Sequence, residues 1–118
     1  MKLTLVYLPV FVADWDRLRL DDDDLRALEQ AIMDDAQVAP VIAGTGGLRK
    51  LRFAPPSWHT GKRGAMRVIL GYFQAHQTAY LFLAYGKNEQ GNLTADQKRQ
   101  CRRLVKEILE YLDSREEQ

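Results

Sequence analysis

Two stretches of this 118-residue chain, 66–73 and 79–85, are apolar on both faces when read with the two-residue period of a β-strand. A strand with one face in water alternates apolar and polar side chains. A strand without that alternation needs cover on both sides. The two stretches therefore predict strands of a sheet that is packed on each face. The one break in the pattern is Arg67, flanked by Met66, Val68 and Ile69, which sets a charge at the edge of the core.

The rest of the chain can be read around these strands. Leu3, Leu5 and Tyr7 alternate with Thr4, Val6 and Leu8 as a first strand, closed by Pro9. Phe11, Trp15 and Leu18 recur at spacings of four and three, a short amphipathic helix. The acids Asp21 to Asp24 are read as the cap of a second helix, where anions meet the positive end of the dipole; the alternative is a metal loop. Leu25, Leu28, Ala31 and Ile32 give that helix its buried stripe. Residues 37–43 read as a linker and Gly44-Thr45-Gly46-Gly47 as a turn. Residues 48–54 form a strand with Leu51 and Phe53 on one face and Lys50 and Arg52 on the other. Residues 55–64 are a loop. Thr94-Ala95-Asp96-Gln97 is a capping box, and Cys101, Leu104, Val105, Ile108 and Leu112 stripe the helix it opens. The predicted class is α+β, one domain over 1–118, in the order β-α-α-β-β-β-α, with a mainly antiparallel sheet packed by helices.

Charge is distributed unevenly. The chain holds 17 Lys and Arg against 16 Asp and Glu, a net of +1. Residues 36–88 nevertheless hold seven bases (Arg49, Lys50, Arg52, Lys62, Arg63, Arg67 and Lys87) and no acid. Such a segment creates a positive potential for phosphates even at low net charge. On the predicted strands Lys50, Arg52, Arg67, Tyr85 and Lys87 are placed to converge, with Tyr85 offering an aromatic face of the kind that single-stranded RNA binders use.

Other chemistries find little support. The chain has no nucleotide-binding glycine fingerprint and no HExxH. The 44–47 glycines precede a strand, whereas a phosphate loop precedes a helix. Cys101 is the only cysteine, so neither an intrachain disulfide nor a cysteine-based zinc site is available. His59 and His76 fall in predicted loops and read as surface residues. The apolar N-terminal run is too short, and its flanks too acidic, for a signal peptide. A cytoplasmic protein without cofactor or metal is expected.

One family pattern does fit. The residues Gly44-Thr45-Gly46-Gly47-Leu48-Arg49-Lys50-Leu51-Arg52-Phe53-Ala54, then Gly61-Lys62-Arg63-Gly64-Ala65-Met66-Arg67-Val68-Ile69, Tyr85-Gly86-Lys87-Asn88-Glu89 and Leu93-Thr94-Ala95-Asp96-Gln97-Lys98 resemble the RelE/HigB superfamily of bacterial type II toxins, and the HigB branch most. The resemblance covers most of 40–105, and the first 35 residues match in element order. It implies a compact antiparallel sheet with helices on one side. It implies a toxin that enters the ribosomal A site and cuts messenger RNA without a metal, by attack of the RNA's 2′-hydroxyl. It implies ribosomal RNA and a helix-turn-helix antitoxin as partners. Carried onto this sequence, Arg67, Lys50 and Arg52 stabilise charge, Lys87 acts as acid or base, and Tyr85 stacks or relays a proton. Arg49, Lys62 and Arg63 contact ribosomal RNA. Asn88 stands where some members carry a further arginine, and one glycine of the pair before the strand arginine is lost. The alternatives are a ParE-like gyrase inhibitor on the same fold, which generally lacks this basic set, and a non-catalytic RNA-binding module.

Overall fold

The computed structural model describes residues 2–37, 39–59 and 65–116. Lys62 and Arg63, assigned above to ribosomal RNA, lie outside the described residues.

Strand β1 (Thr4–Tyr7) runs directly into helix α1 (Pro9–Arg17), which opens on proline because the first helical amide has no intrahelical acceptor to lose. Phe11 and Trp15, one turn apart, are its buried residues. Helix α2 (Asp22–Asp35) begins with a reciprocal cap. The Asp21 carboxylate accepts from Asp24 N at 2.8 Å, and the Asp24 carboxylate accepts from Asp21 N at 3.1 Å. Of the two readings of the acid run, the helix cap is the one the fold uses. Strands β2 (Arg49–Phe53), β3 (Met66–Phe73) and β4 (Thr78–Gly86) follow, then helix α3 (Ala95–Glu116). The predicted capping box opens α3: Gln97 N donates to Thr94 Oγ1 at 3.1 Å and Thr94 N to Gln97 Oε1 at 2.9 Å.

The element order is the expected one, but the sheet is mixed. Its strand order is β1-β4-β3-β2. The β2–β3 and β3–β4 pairs are antiparallel, while β1 pairs with β4 in parallel. No tight turn ties β1 to a neighbour, because two helices follow it. It fills the edge of β4 left open by the hairpins, in the parallel sense.

The helices do not share one side. Phe11, Trp15, Leu28 and Ile32 from α1 and α2 pack with Leu51, Met66, Val68, Leu70 and Leu81 on one face. Cys101, Val105, Ile108 and Leu112 of α3 pack with Leu48, Ile69, Tyr80 and Phe82 on the other. The expectation of helices on one side is corrected. The physical reason is the two-sided apolarity of β3 and β4, which one helical layer leaves half uncovered.

Two connections do more than link elements. Residues 40–42 extend the sheet beyond β2: Lys50 N donates to Pro40 O at 2.9 Å and Ile42 N to Leu48 O at 2.8 Å. The 37–43 stretch is thus partly strand-like and not a plain linker. The glycine turn after it is held by buried Thr45, whose hydroxyl donates to Ile42 O at 2.7 Å and accepts from Leu48 N at 3.0 Å. Gly46 has φ +82, and a Cβ there would meet Val105 Cγ1 of α3 at 3.4 Å, so the turn seats against the helix.

Candidate functional site

The basic residues are brought into register by sheet pairing. Arg52 of β2 stands opposite Arg67 of β3, and Arg67 stands opposite Tyr85 of β4. These three form one row across three strands. Lys50 pairs with Ile69, whose side chain belongs to the α3-side core, so Lys50, Arg52, Arg67 and Tyr85 share that face. Leu51 and Phe53 turn the other way, into the α1–α2 core.

A β-bulge completes the row. Ile69 pairs with Leu83 but Leu70 with Leu81, so Phe82 is an extra residue in β4. Regular pairing carried on from Leu70 and Leu81 would set Ala84 opposite Arg67. The bulge moves the register by one and puts Tyr85 there instead, re-aiming its side chain onto the α3 face.

Exposure differs along the row. Arg52 is exposed and Lys50 half-buried, with its Nζ 3.4 Å from Asn92 Oδ1. Arg67 is only 9% exposed, and its Nη1 donates to Ala65 O at 2.8 Å. Tyr85 is 2% exposed, and its hydroxyl makes no hydrogen bond among the described residues. Burial pushes the Tyr85 phenol up, and the charge of Arg67 pulls the other way. The Tyr85 ring packs in the α3-side core and offers no open face for a base, contrary to the stacking role expected for it. Lys87 is exposed on the turn that follows β4. Among the described residues no ion pair engages Lys50, Arg52, Arg67 or Lys87.

Arg49 is drawn elsewhere. Its Nη1 donates to Gln37 O at 2.9 Å and Ala39 O at 2.7 Å, so its guanidinium ties α2's exit to β2 and is not free to reach outward. Two further residues enter from the first 20 positions. Beyond the end of β1, α1 takes over the edge of β4: the Asp14 carboxylate accepts from Ala84 N at 2.9 Å, and Arg17 Nη2 donates to Ala84 O at 3.2 Å. Side chains thus stand in for a neighbouring strand and close an edge that would otherwise be open to pairing. Arg17 also pairs with Glu89, whose other oxygen accepts from Gly86 N at 2.7 Å. The contacts of Asp14 and Arg17 with Ala84 and Glu89 span 67 to 72 positions, and no local pattern announces them.

Trp58 packs against the α1–α2 core. His76 is not a plain surface residue: its Nε2 lies 3.1 Å from Asp113 Oδ1, a partner 37 positions away. It borders a cleft of about 490 Å3 with Thr4, Gln74, Thr78, Tyr80 and Arg115. That cleft lies at the opposite end of the β3–β4 hairpin from the basic row. The row is the candidate anion site, because it gathers cations without an acid while the cleft sets Asp113 against its histidine. No helix among the described residues is long and apolar enough to cross a membrane. No family model matches the chain.

Proposed function

We propose that this chain is a ribosome-dependent messenger-RNA endonuclease of the RelE/HigB kind, working with ribosomal RNA around it and restrained by a helix-turn-helix antitoxin. The observation that carries the reading is the uncompensated row. Arg52 and Arg67 face each other directly, Tyr85 completes the line, Lys50 shares the face, and no described carboxylate pairs with any of them. Like charges in direct cross-strand register destabilise a sheet, so an arrangement that keeps them calls for an anionic ligand.

The chemistry follows from that charge. The 2′-oxygen of one nucleotide forms a bond to the adjacent phosphorus, and the bond from phosphorus to the 5′-oxygen breaks. A proton leaves the 2′-hydroxyl and one is delivered to the departing 5′-oxygen. The intermediate phosphorane carries extra negative charge, which cations already in place stabilise. Arg52 and Lys50, at the surface, hold the backbone. Arg67 is anchored through Ala65 O and directs its remaining donors at the phosphate. Lys87 exchanges a proton with the leaving oxygen or the 2′-hydroxyl. Tyr85, buried beside Arg67, backs the row from the α3 side.

Primer extension on cellular transcripts after a brief induction tests this. Translated messages are expected to show discrete cuts, naked RNA little cutting, and Arg67→Ala a loss of cuts with the fold retained. Intact transcripts, or a folded Arg67→Ala chain that cuts as well as the parent, would sink it. The burial of Arg67 and Tyr85 favours a second reading, a non-catalytic RNA-binding face presented by Lys50, Arg52 and Lys87. Ribosome association without any cutting selects that one.

A further inference from the structure

We infer that Arg17 and Glu89 are positioning residues for the basic site: together they fix the Lys87 turn and keep the nearest acid from neutralising it. The inference rests on the RNA-directed reading above and names a control built around that site. Glu89 is the first acid after the acid-free run and lies two residues from Lys87. Left loose, its carboxylate would compete with phosphate for the row and for Lys87. The fold occupies both of its oxygens. One accepts from Gly86 N at 2.7 Å, which closes the turn; the other is paired with Arg17 of α1.

Arg17 is itself held in place. Its second nitrogen donates to Ala84 O at 3.2 Å and lies 3.1 Å from Asp14 Oδ1. Asp14 in turn accepts from Ala84 N, so the pair is anchored to β4 immediately before Tyr85. Helix α1 covers the edge of β4 at Ala84, and Glu89 is therefore engaged from that edge of the sheet. The same contact does two jobs. It sets where Lys87 begins relative to Tyr85, and it disposes of a charge that would weaken the site.

Binding of the full chain to ribosomes programmed with a messenger, measured at low and at physiological salt, tests the inference. Arg17→Ala is expected to weaken binding roughly threefold to tenfold at low salt, the order expected of one newly released charge within a Debye length of the ligand. Arg17→Ala with Glu89→Gln is expected to recover it, because glutamine still accepts from Gly86 N without the charge. Arg26→Ala, which frees Asp23 of the exposed Arg26–Asp23 pair on α2, controls for net charge and is expected to change binding by less than twofold. Amide exchange at Gly86 is expected to quicken in Arg17→Ala. Binding unchanged in Arg17→Ala overturns the inference, as does a loss that Glu89→Gln does not recover, which would mark plain destabilisation. A parent chain that ignores programmed ribosomes overturns the functional reading itself, and that failure shows before any variant is made.

Discussion

Arg67 and Tyr85 each break a rule of burial, and they do so side by side. A mostly covered guanidinium and a buried phenol without a hydrogen bond among the described residues are both costly alone. Each unsatisfied buried polar group costs about 1–3 kcal/mol. Tyr85→Phe is therefore expected to leave the protein as stable as the parent or about 1 kcal/mol more stable in urea denaturation. A large loss of stability would show that the hydroxyl is bonded in solution. The sequence made Arg67 conspicuous, since it is the one charge in an apolar strand. Tyr85 was visible only as a nearby aromatic, and its depth was not, because depth depends on α3 closing over it.

At the level of elements, the acid run shows how one local motif acts at a distance. Asp24 completes the capping box that Asp21 opens at the start of α2, and its carboxylate also accepts from Ser57 N at 3.0 Å and Ser57 Oγ at 2.6 Å, pinning the turn Pro56–Trp58. Burial acts to raise the Asp24 carboxyl, but the hydrogen bonds from Ser57 and Asp21 outweigh it and hold the group below its ordinary value. A carboxyl lowered in the folded state adds stability that is complete above its unfolded value and is lost as pH falls through the folded one. Asp24→Asn is expected to cost about 2 kcal/mol at neutral pH, with the gap to the parent closing as pH drops below about 4. Denaturation curves at a series of pH values check this, and a gap that widens in acid would refute it. The capping role was legible from four consecutive acids before an apolar stripe. The bond to Ser57 was not, since it joins positions 33 apart.

Across the whole molecule, charge and topology work together. A chain of net charge +1 gathers Lys50, Arg52 and Arg67 on one sheet face with no ion pair to an acid among the described residues. Its association with programmed ribosomes is expected to weaken at least tenfold between about 50 and 200 mM salt, as phosphate contacts release counterions. Titration at several salt concentrations measures the slope, and a flat response would place the contact elsewhere on the surface. Helices on both faces of the sheet set the scene for this. With α1 and α2 on one side and α3 on the other, the row remains where Arg52 meets solvent.

The amino-acid pattern alone determined the element order, the two-sided packing of β3 and β4, both helix caps and the opposed faces of Lys50–Arg52 and Leu51–Phe53. These follow from period, propensity and capping chemistry, all of which act over a few residues. Tertiary structure alone decided that β1 runs parallel to β4, that Arg49 is held by Gln37 and Ala39, and that α1 closes the β4 edge with Asp14 and Arg17. It also decided the composition of the site. Strict alternation would pair Arg67 with Ala84, and the extra residue Phe82 sets Tyr85 there in its place. A bulge is a compromise between two strands and the cores packed on them, so neither strand's sequence states it alone.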